Sequence, residues 1–292
     1  MSSLLQRLGV RYPVVAAPMF LVSNAPLLEA VGRAGAIGAV PSLNFRTHEQ
    51  FRAFLDAFPR EVPFGVNLIL ASDRMPADLD ALVERKVPLV ITSLGDPTAT
   101  IERVRGYGGM VWSDVISLKH AQKAAKAGAD ALVAVATGAG GHAGTLSPFV
   151  LGPWLKQELG VPVVIAGGLS QGRHLAAALA LGAEAGYFGT RFIATRESAA
   201  SPEYKEALLG ASPEDIEYSD EVTGVKGNYL RDSLQKHREG AGGKAWRDIW
   251  SAGQGVAFLE DIPPAGELVA RLVAEYEAAR AALPSLGAGA SR

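Results

Sequence analysis

Val161–Thr190 reads VPVVIAGGLSQGRHLAAALALGAEAGYFGT. It opens with an apolar run, Val161–Ala166, that ends in Gly167-Gly168. A helical pattern follows over Gln171–Leu181, and a second apolar run, Ala185–Phe188, ends in Gly189-Thr190. Two short strands without polar alternation, joined by a helix, form a parallel pair with both faces covered.

The same unit recurs toward the N-terminus. Strands are expected at Val14–Met19, Ile37–Val40, Phe64–Leu70, Val87–Thr92, Gly109–Val115 and Ala131–Ala136. Helices are expected between them at Pro26–Ala34, Thr47–Phe58, Pro76–Lys86, Pro97–Tyr107, Leu118–Ala127 and Phe149–Leu159. Thr47 is the expected N-cap of its helix, with Gln50 at the capping-box position. With Val161–Ala166 and Ala185–Phe188 the strands number eight, and a last helix covers Pro202–Leu209. Such a pattern closes as an open doubly wound sheet or as a barrel. The count and the even spacing, roughly 25 residues per unit, favour an α/β protein with a closed (β/α)8 TIM barrel.

The rest of the chain fits one such domain over residues 1–292. Residues 214–245 are polar and read as an excursion over the active-site face, with Tyr218–Leu230 at its rim. Trp246–Phe258 and a C-terminal helix, Pro264–Ala282, return as packing elements, and 283–292 reads as a flexible tail. The net charge of −2 argues against nucleic acid or an anionic membrane as partner. No apolar run approaches the ~20 residues of a transmembrane helix. The first residues, MSSLLQRLGVRYP, lack a signal-peptide pattern, so the cytoplasm is the expected compartment. The absence of cysteine excludes disulfides, thiolate metal sites and cysteine nucleophiles.

In a barrel the loops after the strands share one face, and chemistry sits there. That face collects Pro18-Met19, Pro41-Ser42, Asn67, Thr92-Ser93, Ser113-Asp114, Gly167-Gly168 and Gly189-Thr190. Loops after the seventh and eighth strands commonly hold a phosphate through backbone N–H groups. Gly167, Gly168, Gly189 and Thr190 suit that task. The sixth strand leads into TGAGGHAGTLSP, Thr137–Pro148, with His142 set among Gly138, Gly140, Gly141 and Gly144. Glycines let a ligand lie against backbone, and one imidazole can face it. Gly138–Ala143 matches a dinucleotide fingerprint formally, but Pro148 delays the helix and no acidic residue ends the next strand. Gly240–Ala245 is not a P-loop, and the five histidines show no metal-ligand spacing. His48, His120 and His174 fall on expected helices, where surface or packing roles suffice. Asn67 inside FGVNLIL needs a polar partner, either a ligand or neighbouring backbone. Lys119 and Lys123 are expected in solvent.

These residues resemble the nitronate monooxygenase family, formerly called 2-nitropropane dioxygenases. The likeness runs through Ala17-Pro18-Met19, Gly65-Val66-Asn67-Leu68, Gly128-Ala129-Asp130-Ala131 and Gly140-Gly141-His142-Ala143-Gly144. It continues through Ala166-Gly167-Gly168, Gly189-Thr190-Arg191-Phe192 and Trp250-Ser251-Ala252-Gly253-Gln254-Gly255. The resemblance implies an FMN-dependent barrel. Gly167, Gly168, Gly189 and Thr190 would hold the FMN phosphate. Pro18, Met19 and Asn67 would line the flavin, with Gly140 and Gly141 close to it, and no metal is implied. His142 would be the catalytic base, acting on nitroalkane or nitronate, with O2 yielding carbonyl compound and nitrite. The same barrel serves NAD(P)H oxidoreductases of quinone-reductase or enoyl-acyl-carrier-protein-reductase type, so NAD(P)H is admitted as a partner, as is a homodimer. Quinone-reducing relatives can carry lysine at the end of the fifth strand; here Asp114 stands there, which puts its role at the cofactor in question.

Overall fold

The computed structural model describes residues 3–240 and 249–283. Eight strands close a parallel barrel: β1 (Val14–Ala16), β2 (Ile37–Pro41), β3 (Phe64–Ile69), β4 (Leu89–Ser93), β5 (Met110–Val115), β6 (Ala131–Val135), β8 (Val163–Ala166) and β9 (Ala185–Phe188). The closing register sets Val15 beside Tyr187. A second, antiparallel sheet in the order β10-β11-β7 joins β7 (Gly141–His142) to β10 (Ile216–Ser219) and β11 (Gly227–Leu230). The helices are α1 (Ser3–Arg7), α2 (Ala25–Arg33), α3 (His48–Ala57), α4 (Met75–Arg85), α5 (Thr98–Arg105), α6 (Leu118–Ala127), α7 (Pro148–Leu159), α8 (Gly172–Ala180), α9 (Thr190–Ile193), α10 (Pro202–Leu209), α11 (Arg231–Arg238) and α12 (Ala265–Ala282).

Each expected strand and helix is present, with small boundary changes that have causes. The first strand stops at Ala16 rather than Met19, because Pro18 has no N–H for the ladder. The seventh barrel strand starts at Val163 rather than Val161, past Pro162 for the same reason. Thr47 caps α3 by accepting from Gln50 N–H at 3.2 Å. The reciprocal half of the expected box is absent: Gln50 Oε1 accepts from Arg46 N–H instead, at 3.0 Å. The short elements α9 and β7 carry too few residues to show a period. The excursion contains β10, β11 and α11, but its last residues, 241–245, lie outside the described residues, as does the expected tail beyond Leu283.

Alternate residues of the strands fill the barrel. Val15, Ile37, Ala39, Leu89, Ile91, Met110, Trp112, Ala131, Val133, Val164, Ala185 and Tyr187 form one buried apolar cluster with α1 as its lower cap. Their neighbours on the strands face outward to the helices and join the larger cluster. Both faces are therefore apolar, as the unalternating strands required. Complete burial of a side chain such as Leu27 or Val31 contributes about 1.5–3 kcal/mol.

The loop after β8 is fixed from two sides. His174 Nδ1 accepts from Ser170 N–H and Gln171 N–H at 3.0 and 3.1 Å, so that nitrogen is unprotonated. Burial, then the charge of Arg173, holds its pKa below the usual value. On the other side α12 packs tightly on α8. A Cβ at Gly172 would lie 2.2 Å from Leu272 O and 2.3 Å from Tyr276 N. Gly172 N–H donates to Glu275 Oε2 at 2.6 Å across the same contact. Gly172→Ala is expected to force the two helices apart and lower stability by about 1–3 kcal/mol, read as a lower urea midpoint. For His174 the sign follows from its depressed native pKa. The unfolded chain takes the proton first, so stability is full above about pH 6.5 and falls as pH drops below it. His174→Asn keeps an acceptor without a titrating ring. Its urea midpoint should lose less than the wild type's between pH 7.5 and 5.5.

Candidate active site

A cavity of about 1040 Å³ occupies the C-terminal end of the barrel. The residues expected at the ligand line it: Pro18, Met19, Asn67, Gly140, Gly141, His142, Gly167, Gly168, Gly189 and Thr190; Ser42 and Gly144 do not. Strand ends that are up to some 170 positions apart in the chain share one mouth because the barrel closes β9 onto β1.

The glycine loop between β6 and α7 has few side chains of its own, and other segments hold it. Thr137 N–H donates to Leu146 O at 2.7 Å and closes the base of the loop. Asn228 Nδ2 donates to Ala139 O at 2.7 Å, and Tyr218 Oη donates to Ala143 O at 2.8 Å. β11 pairs with β7, setting Gly227 beside His142 and Asn228 beside Gly141. A Cβ at Gly227 would lie 2.9 Å from Gly141 C and O, so only glycine allows this pairing. The excursion is thus hydrogen-bonded to the histidine segment itself.

A second brace comes from Ser251–Gly255. Gly253 N–H donates to Thr190 Oγ1 at 2.9 Å, and Gln254 N–H to Gly138 O at 2.9 Å. Gly168 N–H reaches the same Gly138 carbonyl at 3.2 Å. Thr190 therefore already uses its oxygen as an acceptor within the protein. Tyr204 stacks on Trp250 at 5.1 Å and donates its hydroxyl to Ser251 O, which anchors this brace at the cavity wall.

His142 is half-buried, and burial lowers its pKa from 6.5, so the ring is neutral at pH 7. Its Nε2 lies 2.9 Å from Thr223 Oγ1. That hydroxyl donates to Val225 O at 3.1 Å and accepts from Val225 N–H at 3.2 Å, so it is itself fixed in place.

The inner wall carries a polar row. Asn67 Nδ2 donates to Ile91 O at 3.2 Å and to Ser93 Oγ at 2.8 Å. Both alternatives for Asn67 meet here: it bonds backbone, and it also lines the cavity. Ser93 Oγ donates to Asp114 Oδ2 at 2.6 Å. Asp114 Oδ1 and Tyr187 Oη are buried without a protein partner. Burial raises Asp114 to about 6, against the lowering effect of the Ser93 bond. Burial, then the Asp114 charge, raises Tyr187 well above its usual value.

Sequence reasoning passed over Tyr187, since a tyrosine in an apolar run reads as core. It gave His120 a surface or packing role and Lys123 a place in solvent. Both are exposed, but α6 also turns them toward the cavity mouth. Arg191 points elsewhere: its guanidinium bonds Asp261 O at 3.1 Å and Asp261 Oδ1 at 2.7 Å, tying α9 to the C-terminal segment. α7 begins at Pro148, well past the glycines, with Ser147 as its cap, so no helix N-terminus adjoins the formal dinucleotide match. Among the described residues no group of acidic or histidine side chains could hold a metal ion, and no helix is long and apolar enough to cross a membrane.

The glycines at the strand ends leave bare backbone facing the cavity. Gly168 adopts φ +71°, and a Cβ there would meet nothing within 4 Å. A Cβ at Gly189 would meet only Ala17 Cβ, at 4.0 Å, so protein packing gives no reason for glycine at that position. Open glycine backbone at two adjacent strand ends, with unpartnered polar atoms deeper in, suits a nucleotide-sized ligand with a polar aromatic head.

Comparison with known proteins bears on this site. The family model described as nitronate monooxygenase matches residues 69–241. A hydroxy-methyl-oxo-octahydro-indene-carboxyl-CoA dehydrogenase of Rhodococcus jostii is 31% identical over 82% of this chain and 69% of its own. The structure of FabK from Thermotoga maritima superposes with a TM-score of 0.87 at 29% identity, covering 96% of this chain and 97% of that one. Nitroalkane oxidase from Streptomyces ansochromogenes superposes with a TM-score of 0.86 at 27% identity, covering 97% and 100%. With the matched segment running from the end of β3 through α11, and so across the histidine loop and both glycine strand ends, the chain belongs to the nitronate monooxygenase family.

Proposed function

We propose that the protein is an FMN-dependent oxidoreductase that oxidises alkyl nitronates, and their parent nitroalkanes, with O2 to carbonyl compound and nitrite. The observation that carries this reading is His142: a neutral imidazole, fixed by Thr223, beside a glycine-walled cavity. A nitroalkane has an acidic α-proton, and a neutral histidine is the side chain suited to remove it at pH 7.

Gly167, Gly168, Gly189 and Thr190 would hold the FMN phosphate, with Pro18, Met19, Asn67, Gly140 and Gly141 around the ring. When bound, FMN supplies the electron acceptor and the reaction with O2. The protein supplies the rest. Thr223 orients the His142 ring. The braces from Asn228 and Gly253 fix the glycine loop, so the base keeps its place relative to the cavity. Burial lowers the His142 pKa, so the ring stays neutral and free to accept a proton at pH 7.

A second reading has its own support. Leu21, Leu94, Ile116 and Val225 line the cavity while 38–47% exposed. An apolar mouth of this kind suits a bulkier acyl substrate reduced at the expense of NAD(P)H, in keeping with the likeness to the carboxyl-CoA dehydrogenase.

Anaerobic mixing of the FMN-loaded protein with propyl-2-nitronate, NADH and NADPH separates the two. Bleaching of the flavin by nitronate is expected. Bleaching by a pyridine nucleotide with none by nitronate would replace the first reading with the second. His142→Ala should lower kcat/KM for neutral nitroalkane by about 10²–10⁴-fold, with a much smaller loss on preformed nitronate; equal losses remove proton abstraction from its role. Gly189→Val, which meets little protein, should keep the fold by circular dichroism yet weaken FMN binding at least tenfold. Unchanged FMN affinity contradicts the phosphate assignment.

A further inference from the structure

Asp114 stands at the end of β5 on the inner side of the barrel, two residues above the buried Trp112. Ser93 donates to one of its oxygens; the other is buried, lines the cavity and has no protein partner. Tyr187 Oη, from β9, is a second buried and unpartnered polar atom lining the same cavity. A carboxyl of this kind has a reason to be there only if something enters the cavity to meet it.

The charges around it sharpen the point. The ionisable side chains lining the cavity are Asp96, Asp114, His120, Lys123, His142, Tyr187, Tyr204 and Lys226. Asp96, His120, Lys123 and Lys226 are exposed at the rim, Asp96 bonded to Thr98 and Lys226 paired with Asp220 at 3.7 Å. His142 is neutral and bonded to Thr223, and Tyr204 is bonded to Ser251. The nearby buried Arg191 is committed to Asp261. Facing Asp114 from β4 is the uncharged Ser93, and from β9 the uncharged Tyr187. Among the described residues no cation is paired with Asp114. A bound flavin that gains an electron pair and one proton becomes an anion, and nothing cationic in this inner wall offsets that charge.

We propose that Asp114 is the proton-holding group of this site: it takes a proton from solvent when a flavin held in this cavity is reduced, so charge is balanced by neutralising a carboxylate. The inference rests on the FMN reading. Its balance is simple. The oxidised ring takes two electrons and one proton from a reductant and solvent, and separately the Asp114 carboxylate takes one proton to become the acid. The titration of Asp114 near pH 6 in the open cavity places this uptake within reach of neutral pH. A new negative charge a few ångströms away raises a carboxyl pKa by one unit or more, about tenfold in proton affinity.

The test compares wild type with Asp114→Asn, both loaded with FMN. FMN binding is measured first, by fluorescence quenching. Each protein is then reduced anaerobically with dithionite in weak buffer between pH 6 and 9, and proton uptake is read with an indicator dye. Somewhere in that range wild type should take up to one proton more per flavin than Asp114→Asn, and at pH 8 the variant should favour reduced over oxidised FMN by about tenfold more than wild type does. Equal uptake at every pH overturns the inference while leaving the flavin assignment standing; a wild-type protein that takes up no FMN removes the flavin reading and this inference with it. Ser93→Ala serves if Asp114→Asn does not fold. Losing the Ser93 donor raises the carboxyl's proton affinity, so the pH range of the extra uptake should move upward, and an unmoved range counts against Asp114.

Discussion

Close approach of bare backbone is the constraint on which the site depends. A Cβ at Gly253 would lie 2.4 Å from Gly138 O and 2.8 Å from Gly140 N, and one at Gly140 would lie 2.9 Å from Gly253 N. Two peptide segments more than a hundred positions apart touch without side chains between them. That contact lets Gly253 N–H reach Thr190 and Gln254 N–H reach Gly138, so the glycine loop, α9 and the C-terminal segment form one unit. The loop is held by its neighbours because its own residues offer nothing with which to hold it.

The same arrangement sets the electrostatics. Burial keeps His142 neutral and raises Asp114 to about 6, so near neutral pH the one charge on the inner wall is a carboxylate close to taking up a proton. Polar capacity remains in Asn67, Ser93, Asp114 and Tyr187, three of them on the neighbouring strands β3, β4 and β5. In a low-dielectric cavity such groups respond strongly to any charge that appears beside them.

Much of this could be read from the chain. The strands declared themselves because each is buried on both faces and so loses all polar alternation. A helix start was legible at Thr47, where a hydroxyl precedes an apolar stripe. The residues expected at the ligand all line one cavity, because a strand-end position in a closed barrel has nowhere else to point. Tyr187 was not legible: its hydroxyl faces a cavity only because closure places Tyr187 beside Val15. Thr223 was equally hidden, since its contact with His142 spans 81 positions and depends on how the excursion folds back.

The order of residues along the chain sets the number and order of the strand–helix units, the glycine-bearing strand ends and the single histidine among glycines. Those are local patterns, fixed by which side chains tolerate burial and which backbone needs no side chain at all. What those residues meet comes from closure of the barrel and the segments folded over its mouth. That folding brought β11 against the histidine, set Gly253 against Gly138 and Gly140, and left Asp114 facing the cavity with one oxygen unpaired. Pairing, burial and the proton affinities that follow from them depend on distances across the barrel, and no periodicity along the chain encodes a distance across it.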